Sequence, residues 1–268
     1  MKHNIKVMLL LILLFLGAHF IGLIVVQHYT TKNLPFEVQN IQVKEKNTSY
    51  IPIFIAILIS SIIALIMIKF RTIRLWKFWF FLSMVFSLTL SFGAFLWQYL
   101  ALSLAIIIST WRILKPNFIV HNLSELFLYG GLAALFVPIF NILSISILLI
   151  LISLYDMFSV WQSKHMIKLA KFQNKSRIFA GIMIPYKERK TEKLREAILG
   201  GGDIGFTLLF SGVILLNYGM ISAIITSIVT SIALLSLFIF GEKKKFYPAM
   251  PFLSLGCFIS LGLVYLIF

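Results

Sequence analysis

The tetrapeptide Gly200–Asp203 (GGGD) places a carboxyl group just inside an apolar stretch of membrane-spanning length, Ile198 to Asn217. An aspartate at the centre of a membrane helix costs about 2.5–3.5 kcal/mol on insertion scales, so acids at such positions usually have a function. A second acid, Asp156, follows Tyr155 near the end of the preceding apolar stretch. Two isolated acids in consecutive apolar segments predict a pair of carboxyl groups that work together inside the membrane.

Paired carboxyl groups in a medium of low dielectric constant cannot both ionise easily, so they share a proton. One of them can then act as general base on a water molecule while the other, protonated, polarises a peptide carbonyl. Such a pair titrates as a unit, and neither Asp156 nor Asp203 is assigned the acid or the base. The glycines remove side chains beside Asp203, so that water and a substrate backbone can approach. The alternative is that small residues allow tight helix packing.

Composition defines the class of protein. The chain has 268 residues, of which 60% are hydrophobic and 12% charged, whereas soluble domains are about 45–50% apolar and about 25% charged. The pattern predicts an all-α polytopic membrane protein with one embedded domain, residues 1–268, in a cell membrane. The net charge of +15 is spread over short loops, which indicates membrane topology rather than a nucleic-acid partner. The single cysteine, Cys257, excludes an internal disulfide and a cysteine-rich metal site. We expect no metal and no cofactor.

Apolar stretches of about 20 residues predict nine transmembrane helices. The first is interpreted as a retained anchor, because it is longer than the apolar part of a signal peptide. The predicted spans are residues 7–26, 51–68, 78–96, 98–113, 118–139, 142–161, 197–216, 219–240 and 247–268.

The basic residues orient these spans. All but three of the 24 lysines and arginines fall at one side of a nine-span arrangement, and ten of them lie in the loop 162–197. The three exceptions, Lys32, Lys44 and Lys46, share the loop 27–50. Because cytoplasmic loops carry the excess of positive charge, the N-terminus is predicted to be cytoplasmic and the C-terminus extracytoplasmic.

The same topology predicts that the two aspartates lie at one depth. Asp156 lies eight residues before Lys164, and Asp203 lies eight residues after Arg195. At 1.5 Å per helical residue, each carboxyl group is about 12 Å from its flanking cation, in the cytoplasmic half of the membrane.

Three further features are weaker signals. His121 and Glu125 lie four residues apart on one helix face, as metal ligands or a proton relay would. We favour a simpler interpretation, in which Glu125 is a polar residue stabilised by a helix N-terminus. His19 is interpreted as a packed or hydrogen-bonded residue. The apolar segment 177–184 is either a strand near the active site, whose edge could hold a substrate extended, or a segment at the membrane surface.

Three motifs of this chain resemble the YD, GxGD and PAL motifs of the presenilin and signal peptide peptidase family, intramembrane aspartyl proteases with nine spans. They are Tyr155-Asp156, Gly200-Gly201-Gly202-Asp203 and Pro248-Ala249-Met250-Pro251. The stretch that begins at Tyr155 is especially similar to archaeal presenilin homologues. In place of the leucine of the PAL motif stands Met250, a change of similar volume that is usually mild.

The resemblance implies a presenilin-like fold in which Asp156 and Asp203 are the catalytic pair. It also implies that Tyr155, the three glycines and the Pro248–Met250 segment shape the active site and hold substrate. A cytoplasmic loop between spans six and seven is the presenilin orientation, and it implies substrates with a single span and an outside N-terminus. The sequence identifies neither these substrates nor any accessory subunit.

Other functions remain as alternatives. A proton- or cation-coupled transporter or channel would also use paired intramembrane acids, although the sequence has neither the internal symmetry nor the broken spans in both halves that favour transport. The prepilin-peptidase group also uses a GxGD motif, but it usually has fewer spans and lacks the proline–alanine motif. A protease-like scaffold without activity would not need the intact pair Asp156 and Asp203.

Overall fold

The computed structural model describes residues 5–39, 41, 43, 45–70, 72–162, 179–187, 194–241 and 247–267. It contains eight α-helices and two β-strands within these ranges. The helices are α1 (Ile5–Thr31), α2 (Tyr50–Lys69), α3 (Ile73–Gly93), α4 (Gln98–Leu114), α5 (Phe118–Phe136), α6 (Ile142–Met157), α7 (Gly201–Phe240) and α8 (Met250–Ile267). The strands are β1 (Gly181–Lys187) and β2 (Leu194–Gly200).

Most of these helices could cross a membrane. In the described ranges, seven helices are long and apolar enough to cross a membrane, and α4 is a shorter apolar helix. Helix α2 buries few of its residues within the chain, whereas α5 buries most of one face. Since most of the exposed residues of α2 are isoleucines and other apolar side chains, the surface they form suits lipid rather than water.

The longest helix, α7, is interrupted at Gly219, which has a φ of 83° and a ψ of 178°. This region of backbone space is essentially reserved for glycine. Ser211 and Ser227, each eight residues from Gly219, approach to 3.4 Å between their hydroxyl oxygens. The two halves of α7 therefore lie side by side as a hairpin, and the break falls at Gly219, where the sequence divides the seventh predicted span from the eighth.

Helix α1 lies against this hairpin. The imidazole of His19 is fully buried and reaches both halves of α7, with Nε2 3.0 Å from the hydroxyl of Thr207 and Nδ1 3.0 Å from that of Ser227. The prediction that His19 is a hydrogen-bonded residue is confirmed. Hydrogen bonds between helices contribute about 1 kcal/mol each in membranes, so His19 helps to join α1 to both halves.

The boundary between α5 and α6 is set by local signals. A 3-10 turn over Val137–Ile139 contains Pro138 and follows α5. Asn141 then caps α6, since its side chain accepts from the Ser144 N–H while the Ser144 hydroxyl accepts from the Asn141 N–H. This reciprocal arrangement satisfies two backbone donors at the helix start. Helix α6 continues into a π-helical turn, Phe158–Gln162.

A β-hairpin interrupts the helical architecture, which the sequence predicts as all-α. Strands β1 and β2 are antiparallel, with Gly181 opposite Gly200 and Met183 opposite Ile198. Of the two interpretations of segment 177–184, the structure has a strand over residues 181–184, and residues 177–178 lie outside the described ranges. The predicted start of span seven at residue 197 is wrong, because residues 197–200 belong to β2 and the helix begins at Gly201.

Candidate active site

Asp156 lies at the end of α6, just before the π-helical turn. Asp156 is 8% exposed, and its Oδ2 accepts a hydrogen bond of 3.1 Å from the backbone N–H of Met250. The Ser159 hydroxyl donates to the Asp156 carbonyl oxygen at 3.0 Å, within the π-helical turn. Turns of this kind inside or beside α-helices occur frequently at functional sites.

Met250 is the first residue of α8, so its N–H has no acceptor within the helix. The carboxyl group of Asp156 therefore occupies the place of an N-terminal capping group and lies where the helix dipole favours negative charge. Pro248 is buried and Ala249 is half-buried. The Met250 side chain is 4% exposed and belongs to the main core. The structure thus brings together the predicted site residues of spans six and nine.

Asp203 is the third residue of α7 and is partly buried. Asp203 therefore lies in the first turn of a helix, where the dipole favours a carboxylate, as the start of α8 does for the carboxyl group of Asp156. The Thr207 hydroxyl donates to the Asp203 carbonyl oxygen at 2.7 Å. Strand β2 ends at Gly200, and a Cβ atom placed on Gly200 would lie 3.2 Å from Oδ2 of Asp203. The hairpin and α7 together position this carboxyl group.

The glycines before Asp203 have different environments. A Cβ atom on Gly201 would lie 2.8 Å from the hydroxyl oxygen of Tyr129, so this glycine permits close packing with α5. Gly202 is exposed, and a Cβ atom there would meet only the ring of Phe206, at 3.6 Å or more. The packing interpretation therefore applies to Gly201, whereas the access interpretation is consistent with Gly202.

Tyr155 binds to α2, whereas the adjacent Asp156 binds to the start of α8. Its hydroxyl donates to the Ser61 hydroxyl of α2 at 2.8 Å. Helices α6 and α8 are also joined directly, by a 2.8 Å hydrogen bond between the hydroxyls of Ser153 and Ser254. Asp156 thus lies on a helix that is bound to α2 on one side and to α8 on another.

Next to this site lies a buried ion pair that the sequence does not predict. Arg112 of α4 and Glu125 of α5 are 5% and 1% exposed, and they form a salt bridge. The interpretation of Glu125 as a residue stabilised only by a helix dipole is therefore wrong. The sequence does carry a signal for this pair, since Arg112 and Glu125 are a cation and an acid within two consecutive apolar segments.

Helix α5 also holds the outer edge of β1. The Asn122 side chain accepts from the Met183 N–H at 3.0 Å and donates to the Met183 carbonyl at 2.9 Å, as a neighbouring strand would. His121 Nε2 lies 2.7 Å from the Gly181 carbonyl oxygen. In the described part of the chain, no group of three or more His, Cys, Asp or Glu side chains could hold a metal ion. His121 is a backbone partner of β1 rather than a member of such a cluster.

The fold and the site define a multi-pass membrane protein in which two acids, one at the end of α6 and one in the first turn of α7, lie within a helical bundle. The family model described as "Signal-peptide peptidase, presenilin aspartyl protease" matches residues 14–268. The chain belongs to this family. It is accordingly an intramembrane aspartyl protease, a hydrolase located in a membrane.

Solved structures agree on the fold. The chain is similar to a presenilin family intramembrane aspartate protease solved in space group C222, with a TM-score of 0.69 and 17% identity over 97% of this chain and 99% of that one. The P2 form of a presenilin family intramembrane aspartate protease gives a TM-score of 0.67 and 17% identity, over 96% and 97% of the two chains. A search of curated proteins finds no match.

Proposed function

We propose that this protein hydrolyses peptide bonds within transmembrane segments of other proteins, with Asp156 and Asp203 as its catalytic pair. The observation that carries the proposal is the hydrogen bond from the Met250 N–H to Asp156, which joins motif residues 94 positions apart in the chain. Asp203 lies in the first turn of α7, the helix that packs on both α6 and α8. The family's three motifs therefore belong to three helices in mutual contact.

The chemistry proposed for the pair needs no metal. The ionised member of the pair takes a proton from water as the water oxygen attacks the peptide carbonyl carbon. The protonated member gives its proton to the carbonyl oxygen. Collapse of the tetrahedral intermediate breaks the C–N bond, and the departing nitrogen receives a proton from the pair. The products are a carboxylate and an amine. Both carboxyl groups act as one titrating unit, so we assign no separate acid and base.

A substrate must be extended before a peptide bond within its helix can react, and strand addition to β2 would hold it so. The N–H and the C=O of Met183 both bond to the Asn122 side chain, so neither of them bonds to β2. Met183 and its partner Ile198 are therefore a non-hydrogen-bonded pair, and the N–H and C=O of Ile198 point away from β1. Helix α5 covers that edge of β1. Within the described ranges the sheet has only these two strands, and we propose the outer edge of β2 as the substrate edge.

We further propose nine membrane crossings, with the N-terminus in the cytoplasm and the C-terminus outside. Helix α7 supplies two crossings through its break at Gly219, and α4 supplies one despite its 17 residues. The excess of basic residues in 162–197 supports this orientation. Substrates are then single-span proteins with an outside N-terminus, and Tyr155, Gly200, Gly202, Pro248 and Ala249 line the path of the substrate.

The test is proteolysis by the purified protein reconstituted in vesicles with a single-span reporter. Asp156→Asn and Asp203→Asn keep the size of each side chain but remove its acidity, so each should abolish cleavage, a loss of at least about 10³-fold, because paired catalytic groups act as a unit. Thermal unfolding of each variant should stay close to that of the native protein. A hydroxyl-bearing peptide isostere should inhibit the native enzyme.

Undiminished cleavage by either variant would overturn the assignment of the catalytic pair. Cleavage only of reporters with a cytoplasmic N-terminus would overturn the proposed substrate orientation while leaving the pair intact. Glu37→Gln provides a control for the loss of an acid, because this exposed residue lies in the short turn after α1, outside the proposed pair and the proposed substrate edge. It should leave the rate of cleavage within about twofold of the native value, as surface substitutions usually do.

A further inference from the structure

The buried pair of Arg112 and Glu125 takes no part in the hydrolysis scheme above. The guanidinium Nη2 and the carboxylate Oε1 are 2.5 Å apart, and both side chains are almost fully inaccessible. A buried ion pair is weak evidence for stability, since apolar residues of similar volume often serve as well. Its position relative to Asp203 supplies another reason for its presence.

Each member of the pair reaches a different segment of the site. Arg112 donates through Nη2 to the Phe179 carbonyl at 2.9 Å, which fixes the chain as it enters β1. The second oxygen of Glu125, Oε2, accepts a hydrogen bond from the Tyr129 hydroxyl one helical turn further along α5. The Arg112 Nη1 donates to the Ser124 hydroxyl at 2.8 Å, which holds the guanidinium in place.

Tyr129 packs directly on the first turn of α7. A Cβ atom on Gly201 would lie 2.8 Å from its hydroxyl oxygen, and one on Gly205 would lie 3.8 Å from Cδ1 of its ring. Gly201 and Gly205 are four residues apart and so share one helix face. Asp203 lies between them in the sequence. Tyr129 is 4% exposed, so its ring has little freedom to move away.

The contacts close into a ring. The Gly201 N–H donates to the Ala180 carbonyl at 3.0 Å, and Ala180 follows Phe179, whose carbonyl accepts from Arg112. From Arg112 the path therefore runs through Glu125 and Tyr129 to the start of α7, and back through the start of β1. Hydrogen bonds between buried groups make up most of this ring, and the packing of Tyr129 on Gly201 closes it, so the ring specifies one arrangement of the segments that it joins.

We propose that Tyr129, held by the Arg112–Glu125 pair, is a positioning residue that fixes the first turn of α7 and thereby the carboxyl group of Asp203. The proposal rests on the proposed function of Asp203. A displacement of 1 Å at a reacting group can lower a rate by about 100-fold. The hydroxyl of Tyr129 acts through the glycine face of α7 and not on the substrate.

The first experiment compares Tyr129→Phe with the native protein in vesicles. The change removes one oxygen atom, so folding should survive where loss of Arg112 or Glu125 could prevent it. We expect kcat for the reporter to fall by about 10- to 100-fold and KM to change by less than about twofold. The control is Tyr29→Phe, which removes a hydroxyl that donates to the Leu90 carbonyl at 2.8 Å away from this network, and which should leave kcat unchanged.

A second variant tests the contact itself. Gly201→Ala places a methyl group 2.8 Å from the Tyr129 hydroxyl and 3.2 Å from the Ala180 carbonyl oxygen. Only the closer of these contacts is relieved in Tyr129→Phe, so the change should lower kcat strongly in the native background and less strongly in Tyr129→Phe. Such a dependence of the Gly201→Ala effect on Tyr129 would indicate direct contact between the two residues, whereas a general loss of stability would make the effects of the two substitutions on kcat independent. A native kcat in Tyr129→Phe, or multiplicative effects of the two changes, would overturn the proposal.

A third measurement does not depend on proteolysis. Hydrogen exchange of the amides of residues 201–205 should be at least about tenfold faster in Tyr129→Phe than in the native protein, because the first turn of α7 loses its support. Unchanged exchange would overturn the positioning proposal even if Asp203 is catalytic. Absence of cleavage by the native protein, together with the expected faster exchange, would instead overturn the proposed function and leave the structural link in place.

Discussion

A backbone group, rather than a side chain, is the donor that binds the carboxyl group of Asp156. The Met250 N–H lies at the start of α8, where no acceptor is available within the helix. The Met250 side chain meanwhile packs in the core. This division explains how methionine can replace the leucine of the related motif, since the donor is the same for either residue and the volumes are similar.

The backbone donor leads to a prediction for Met250→Pro. Proline is well tolerated at the first position of a helix but has no N–H. We expect its reporter cleavage to fall by about 10- to 100-fold, because a hydrogen bond to a charged group contributes about 1.5–3 kcal/mol. The rate of cleavage in reconstituted vesicles measures the effect.

The matched control is Met250→Ala, which loses the same packing but keeps the N–H. It should lower the thermal stability and keep most of the activity per folded molecule. Equal activity of the proline and alanine variants would show that the hydrogen bond to Asp156 does not contribute to catalysis.

The functional role of a single residue can be predicted from the sequence in some cases and not in others. Asp156 and Asp203 could be singled out because a carboxyl group inside an apolar segment is costly. The Met250 N–H could not, since every residue but proline has one and only its placement is informative. The role of Glu125 is not evident from the sequence, because its partner, Arg112, lies 13 positions earlier on another helix. The sequence does not show that the two side chains turn toward each other rather than toward the membrane surface.

At the scale of elements, the β-hairpin is the main departure from a helical bundle. Inward-facing residues of both strands are buried, among them Ile182, Ala197 and Leu199. Pro185 is compatible with β1 because its position in the register belongs to the set whose main-chain groups point away from β2. The sequence indicated β1 through an apolar run, but β2 merges without a polar break into the apolar start of α7. Short apolar runs do not distinguish strand from helix.

The proposed substrate edge predicts a specific effect of Ile198→Pro. The N–H of Ile198 points away from β1, so proline there should preserve the hairpin yet remove a donor from the outer edge of β2. We expect cleavage to fall by about tenfold, since one lost hydrogen bond in an interface corresponds to about 0.5–1.5 kcal/mol and the proline ring also obstructs the edge. Reporter cleavage and substrate cross-linking to β2 measure the effect.

Two variants separate this effect from others. Ile198→Ala removes the side chain and keeps the N–H, so it should cleave the reporter nearly as well as the native protein. Ala197→Pro removes a donor that faces β1, so it should destabilise the hairpin and lower the unfolding temperature. Full activity of Ile198→Pro would contradict strand addition at β2.

At the scale of the whole molecule, α7 decides how many times the chain crosses the membrane. A helix of 40 residues would be about 60 Å long, twice the thickness of a bilayer core. The sequence indicated the break correctly, because the polar Asn217 and the glycine at 219 divide two apolar runs. It could not predict that His19 would bridge both halves, since that contact depends on which face of α1 packs against α7.

The proposed arrangement of nine crossings predicts the sidedness of three loops. In a background of Cys257→Ala, we expect the single substitutions Trp97→Cys and Asn217→Cys to react with an impermeant maleimide in intact cells. Lys115→Cys should react only after permeabilisation, because α4 carries the chain back to the cytoplasm. The residues at 97, 115 and 217 are exposed in the structure, so the reagent can reach them once it is on the correct side.

Each alternative topology gives a different labelling pattern. If α4 lay along the membrane surface instead of crossing, positions 97 and 115 would label from the same side. If α7 crossed once, position 217 would lie within the bilayer and label from neither side. Because 97 and 115 flank the shortest apolar helix and 217 lies beside the break at Gly219, these three positions test the two crossings on which the count of nine depends. The same experiment fixes the side on which the N-terminus of each of these helices lies.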